Sequence, residues 1–224
     1  MSSLAAVVFD FDGVILDSES AEFESHRLIF ERYGVPLTPE EWCDQIGIWA
    51  EEHERRWCTR LNERCGAAME YEAFKTEQHR IFHEIVAREP MRGIRKLLDE
   101  LADAGVPTAV ASTSSARWVV PSVERLGLTH RFRTIVTAND VERRKPAPDV
   151  YIEATRRLGA DPRRSVAIED SGPGIASASA AGLKAVAIPH WLTEGHDLAA
   201  ATLRVAHAGD LSVDRLEQLI NGSR

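Results

Sequence analysis

What is scarce in this chain of 224 residues narrows what it can be. No stretch approaches the roughly 18 consecutive apolar residues of a membrane-spanning helix, so no membrane partner is expected. Met1-Ser2-Ser3-Leu4 offers neither a basic leader nor a long apolar run, and a secretory signal is not expected. Cysteine occurs three times, at Cys43, Cys58 and Cys65, an odd number without paired C-x-x-C spacing. That pattern argues against a structural zinc site or a disulfide framework, and fits reduced thiols in a cytoplasmic protein. Basic residues are outnumbered, 27 against 35 acidic ones, for a formal net charge of -8. Non-specific nucleic-acid binding needs the opposite sign, so no nucleic-acid partner is expected. A phosphorylated substrate stays open, because a metal ion and a few local cations can reverse the field inside one cleft.

The rest of the composition is ordinary. Hydrophobic residues make up 44% and charged ones 28%, as in a globular protein that is one large domain or a domain with an insertion. The organising stretch is Val7-Val8-Phe9-Asp10-Phe11-Asp12-Gly13-Val14. Apolar residues with β propensity run into Asp10, as in a buried parallel strand whose carboxyl end carries a ligand site. Asp12 follows two positions later, on the same side of an extended chain until the backbone turns at Gly13. Two carboxylates this close repel unless a cation or a shared proton relieves them, which makes the pair a candidate Mg²⁺ site. A strand followed by a plain Asp-Gly turn is the simpler alternative.

From Ser18 to about Arg88 the pattern turns helical and no strand is evident. Phe23, Arg27, Phe30 and Tyr33 fit one helix, closed by Gly34 and Pro36. Thr38-Pro39-Glu40-Glu41 starts a second, with Thr38 as cap. Two more are expected over about 50–64 and 70–87. From Gly93 onward strands and helices alternate, with strands expected at 108–111, 134–137, 165–168 and 184–188 and a short sixth beginning at Val205. Such alternation predicts an α/β fold, a doubly wound parallel sheet with helices on both faces. The helical stretch must leave this sheet and return to it, which predicts an inserted all-α cap domain of four helices. The expected division is 1–16 with 89–224 as Rossmann-like core, and 17–88 as cap.

Polar residues gather at the predicted strand ends. Ser112-Thr113-Ser114 follow one strand, Arg143-Arg144-Lys145 lie in the loop after the next, and Glu169-Asp170-Ser171 follow another. Each set has a bland reading as a helix cap or a solvated charge. Together, two acids, a hydroxyl, a lysine and two further acids are what one phosphate-and-magnesium site needs. In this order and spacing they resemble the haloacid dehalogenase-like superfamily, specifically its helical-capped phosphatases and its β-phosphoglucomutase-like members. The match runs through Asp10-Phe11-Asp12-Gly13-Val14 with Asp17-Ser18, then Ser112, Lys145 and Glu169-Asp170 ahead of Gly172 and Gly174.

The resemblance implies a mechanism. Asp10 is the implied nucleophile, forming an aspartyl phosphate, and Asp12 the implied proton carrier. Mg²⁺ is implied at Asp10, the Asp12 carbonyl and Asp170, with Glu169 as ligand or support, an oxygen-only set suited to a hard cation. Ser112, amides near Thr113, and Lys145 are implied to hold the transferring oxygens. Dehalogenases of the superfamily lack the second aspartate, so Asp12 speaks against that activity. Gly172-Pro173-Gly174 is half of a dinucleotide fingerprint, but position 177 is Ser and the strand is a late one, which argues against NAD.

The expectation is therefore a Mg²⁺-dependent phosphatase for a small phosphorylated metabolite. The runner-up is a sugar-phosphate mutase like β-phosphoglucomutase. That family pattern has a cap arginine where this chain has Ala50, and a histidine where it has Glu22, and both departures favour hydrolysis. A phospho-accepting signalling domain fits less well, since its acceptor follows a later strand and it has no cap. Glu22 and the cap loop residues Ile48, Trp49 and Glu51 are the expected specificity contacts. Trp42, Trp49, Trp57, Phe74 and His53 are candidates to line a specificity pocket, but most of them are expected to pack the cap's own core.

Overall fold

The structure is a computed structural model and describes residues 3–43 and 51–222. Six parallel strands form one sheet in the order β3-β2-β1-β4-β5-β6, with β1 Ala6–Phe9, β2 Thr108–Ala111, β3 Thr134–Val136, β4 Ser165–Glu169, β5 Lys184–Ala187 and β6 Leu203–Arg204. The chain steps outward from β1 in one direction through β2 and β3, then crosses back to β4 and steps the other way. The strand order therefore reverses beside β1, between β1 and β4, where open α/β sheets place their ligands.

Side-chain alternation along the strands builds two different faces. Val7, Phe9, Val110, Val166, Ile168 and Val186 point to one side, and bulky residues of helices α5 (Ile94–Asp103), α6 (Ala116–Arg125) and α9 (Val213–Asn221) close over them. Val8, Ala109, Ala111, Ala167, Ala185 and Ala187 point to the other, against α7 (Asp149–Leu158) and α8 (Gly172–Ala180). Alanine on that face lets α7 and α8 sit close to the sheet. It also sets the depth at which the even-numbered Asp10 meets side chains of α7.

Between β1 and α5 lie α1 (Glu19–Arg32), α2 (Pro39–Cys43), α3 (Glu51–Cys65) and α4 (Tyr71–Ile85). Gly34 adopts φ +70° just beyond α1, the left-handed ending its glycine permits. At α2 Thr38 and Glu41 exchange the reciprocal bonds of a capping box, Glu41 N to Thr38 Oγ1 at 3.4 Å and Thr38 N to Glu41 Oε2 at 3.3 Å. These helices carry their own apolar cluster of Phe23, Ile29, Phe30, Trp42, Trp57, Leu61, Phe74 and Ile81. Trp42 and Trp57 stack within it at 5.0 Å. Tyr33 sits at the end of α1 and is exposed.

The differences from the sequence reading are local. β4 runs on to Glu169, because Glu169 is still paired with Ala187 on β5. β6 covers Leu203–Arg204 and not Val205, although the Val205 amide extends the same ladder by donating to the Ala187 carbonyl at 3.0 Å. Among the described residues no helix is long and apolar enough to cross a membrane. The three cysteines are free.

Candidate active site

The sheet brings the sequence-selected groups to one end. Asp10 follows β1, and its amide continues the ladder by donating to the Ile168 carbonyl at 2.9 Å. On one side Glu169 and Asp170 end β4; on the other Ser112 follows β2, its amide held by the Val136 carbonyl at 3.0 Å. Lys145 reaches in from the loop between β3 and α7. It is buried, with Nζ donating to Asp10 Oδ1 at 2.7 Å and to the Ala111 carbonyl at 3.0 Å, and lying 2.6 Å from Glu169 Oε1. The reading of Lys145 as a solvated surface charge is thereby excluded. The Tyr151 hydroxyl, from α7, donates to the same Glu169 oxygen at 2.5 Å.

Carboxylate oxygens of Asp10, Glu169 and Asp170 lie within 4.8 Å of one another, and all three residues are buried. One lysine cannot neutralise three carboxylates. Burial first, then repulsion from Glu169, pushes Asp10 up to about 7 even though Lys145 opposes the shift. Asp170 is pushed well above the usual carboxylate range, by burial first and then by Glu169, Asp10 and Glu19. Lys145 is raised despite its burial, because Asp10 and Glu169 outweigh the cost of desolvating it.

The donor set fits a hard divalent cation. It contains only oxygen ligands, and Asp170 Oδ2 is buried without a hydrogen-bond partner, which is costly unless a cation supplies one. Two glycines keep the space clear. Gly13 has φ +79° and packs against the Asp170 carboxylate, so a side chain there would be strained and would strike Asp170 Oδ2. A Cβ at Gly174 would overlap the Glu169 carboxylate.

Asp12 is not part of the acidic trio. The chain turns back after Asp10, with the amides of Ile15 and Leu16 both bonded to the Phe11 carbonyl, and the Asp12 carboxylate faces hydroxyl groups. It accepts from Ser18 Oγ at 2.6 Å, Ser114 Oγ at 2.6 Å and Trp118 Nε1 at 2.8 Å, with Ser112 Oγ at 3.4 Å. Ser112 Oγ in turn accepts from the Ser114 amide at 3.0 Å. The half-buried Thr113 has no side-chain bond in this network. The cap reading of Glu169 and Asp170 fails, since Ser171 caps α8, accepting from the Gly174 amide at 3.3 Å.

Several site groups were not singled out by the sequence. Glu19, the first residue of α1, is held well above its ordinary range by burial and then by the charges of Asp12, Glu22, Asp10 and Asp17. Its place two residues after Asp17 at a helix start was the available signal. His190 Nδ1 accepts from the Leu192 amide at 3.3 Å, so its Nε2 carries the proton donated to Asp17 Oδ1 at 3.1 Å. Burial favours the neutral acid at Asp17, but the bonds from His190 and the Ser20 amide outweigh it and hold its carboxyl below the usual range. Glu22 is half-buried on α1, 4.0 Å from His26 Nδ1. Ile48, Trp49 and the side chains of Glu51 and His53 lie outside the described residues, as does Ala50.

A doubly wound sheet thus gathers three buried carboxylates and one buried lysine at the carboxyl ends of its central strands. The family model for haloacid dehalogenase-like hydrolases matches residues 7–188, and the chain belongs to that family. Among its relatives is YhcW of Bacillus subtilis, whose name assigns it provisionally to the phosphatases. It is 35% identical over 191 residues, covering 85% of this chain and 86% of the relative. The phosphorylated carbohydrates phosphatase of Thermotoga maritima is 29% identical over 223 residues and 97% of each chain. A crystal structure from Thermotoga maritima, provisionally named a β-phosphoglucomutase, superposes with a TM-score of 0.74 at 29% identity, covering 98% of each chain.

Proposed function

We propose that this hydrolase is a Mg²⁺-dependent phosphatase acting on a small phosphorylated metabolite, a sugar phosphate or similar monoester, through an aspartyl phosphate on Asp10. The observation that carries the reading is the buried trio of Asp10, Glu169 and Asp170, in which a single lysine leaves charge unbalanced and Asp170 Oδ2 has no partner. Asp10, Asp170 and the Asp12 carbonyl would hold Mg²⁺, with Glu169 as ligand or support. When bound, the cation supplies charge neutralisation that lets an anionic nucleophile meet an anionic phosphate.

The remaining work falls to the chain's own groups. An Asp10 carboxylate oxygen attacks phosphorus while the ester oxygen departs. Lys145, Ser112 and the amides around Thr113 hold the phosphoryl oxygens in line. Asp12 gives a proton to the departing oxygen and later takes one from the water that hydrolyses the aspartyl phosphate. Residues 17–88 serve as a cap over the site formed by 1–16 and 89–224, and Glu22 is its proposed contact with the substrate. The kinship with a carbohydrate-phosphate phosphatase supports the substrate class.

Mutase chemistry is the competing reading, favoured by the structural likeness to the protein named for it. A mutase must hold a second phosphate in its cap, ideally with the planar fork of an arginine. Position 50 is alanine, followed by Glu51 and Glu52. Water is therefore expected to win the phosphoenzyme. A panel of small phosphate esters, including β-glucose 1-phosphate with a trace of its bisphosphate, should yield inorganic phosphate in Mg²⁺ and none in chelator. Glucose 6-phosphate accumulating faster than phosphate would replace the phosphatase reading by the mutase one.

A further inference from the structure

Asp12 holds an unusual position among the site's acids. Its carboxylate is only half-buried, yet four donors converge on it, enough to fill the roughly four lone-pair directions of a carboxylate. Three of those donors are serine hydroxyls, whose hydrogens turn about the Cβ–Oγ bonds to meet the acceptor over a range of directions. The fourth cannot. The indole of Trp118 is packed edge-on against Phe11 at 6.2 Å and Phe82 at 5.2 Å, with His83 at 6.4 Å and the Arg125 guanidinium 5.8 Å from its ring. Its N–H direction is thus set by ring packing, and that N–H reaches Asp12 Oδ1 at 2.8 Å. Phe82 and His83 belong to α4, the last helix of the insertion, whereas Phe11 and Asp12 belong to the turn after β1.

We propose that Trp118 is the positioning residue for Asp12: its indole N–H fixes the direction of that carboxyl and makes it depend on the packing of α4. This rests on the reading of Asp12 as the proton carrier. A carboxyl free to rotate at a half-open site delivers its proton to the departing oxygen in only a fraction of encounters. The defect appears where the leaving oxygen needs a proton and vanishes where it does not. A shift of α4 moves Phe82 and with it the indole, so the orientation of Asp12 follows that helix through Trp118, beside the direct bond from Ser18.

The test compares single-turnover phosphoryl transfer from an alkyl phosphate and from p-nitrophenyl phosphate. Four proteins are used: wild type, Trp118→Phe, a protein with benzothienylalanine at position 118, and Asp12→Asn. Benzothienylalanine keeps the bicyclic ring and its packing but replaces N–H by sulfur. Both changes at 118 should slow transfer from the alkyl ester about 10-fold, part of the roughly 10²–10⁴-fold that general acid catalysis supplies, and transfer from the aryl ester less than about 2-fold. Asp12→Asn should show the same preference more strongly, and the benzothienyl protein should melt at the wild-type temperature. Equal losses on both esters, or none, in the two position-118 proteins, with Asp12→Asn still discriminating, would overturn the role of Trp118 alone. If Asp12→Asn itself fails to discriminate, the assignment of Asp12 as proton carrier falls, and the role of Trp118 falls with it.

Discussion

Asp10→Asn is expected to lower phosphate release by more than about 10³-fold, because it removes the proposed nucleophile. The substitution is close to isosteric, and the protein should stay folded. Asp10 is a strained neighbour for Glu169 and Asp170, as its rise to about 7 records, and a neutral amide relieves that repulsion. Lys145 retains Glu169 at 2.6 Å and the Ala111 carbonyl at 3.0 Å. A melting temperature within a few degrees of wild type, together with absent turnover, places the effect in chemistry. Wild-type turnover in this variant would remove Asp10 from the mechanism.

Lys145→Met should act on folding and turnover at once. Lys145 is the buried cation paired with Asp10 and Glu169, and methionine takes that charge from both carboxylates and the donor from the Ala111 carbonyl, leaving Glu169 only neutral donors such as Tyr151. Removing one partner of a buried ionic cluster costs about 3–5 kcal/mol. For a chain of this size that corresponds to a fall in melting temperature of about 10 °C, measured in chelator. The pH dependence has a definite sign. Asp10 already has its folded-state value raised, from 3.8 to about 7, so it favours folding most at low pH and loses that contribution as pH rises through 7. Without Lys145 the value rises further, because a stabiliser of the ionised form is gone. The deficit of the variant should therefore be greater at pH 8 than at pH 6. Mg²⁺ should recover part of it, since a divalent cation replaces the missing positive charge. A variant as stable as wild type at pH 8 in chelator would contradict the burial and pairing of this lysine.

How much of this was legible in the sequence depended on whether a residue acts through its own backbone position or through distant packing. Asp10 was readable because an apolar strand of fixed period delivers its carboxylate to the carboxyl end of the sheet. Asp170 and Lys145 were readable because a recurring order of motifs marks them. The alternation of strands and helices from Gly93 onward pointed to the parallel sheet. What sequence could not give was the direction of the Asp12 side chain. Residue parity put Asp10 and Asp12 on one side, but the turn back to Leu16 sends the second carboxylate to Ser18, Ser114 and Trp118. Ala-Arg-Trp-Val-Val reads as any amphipathic helix start, and the N–H of Trp118 acquires a role only through rings that arrive from the turn after β1 and from α4. Tyr151 is similar: it reads as a core aromatic of α7, which it is, and its hydroxyl meets Glu169 only because alanines on the sheet let α7 come close. The strand at Leu203–Arg204 was misplaced by two residues because an edge strand, half exposed, carries little apolar alternation.

The proposed chemistry is covalent at one carboxylate, and that can be observed directly. The protein is mixed with a phosphate ester and Mg²⁺, quenched in acid within the first turnover, and reduced with borohydride, which converts an aspartyl phosphate to homoserine. Peptide mass mapping then locates the modified residue. Homoserine at position 10, absent without substrate and absent from Asp10→Asn, is the predicted result. Phosphate release without any modified aspartate at position 10, or a phosphoryl group trapped on another side chain, would contradict it.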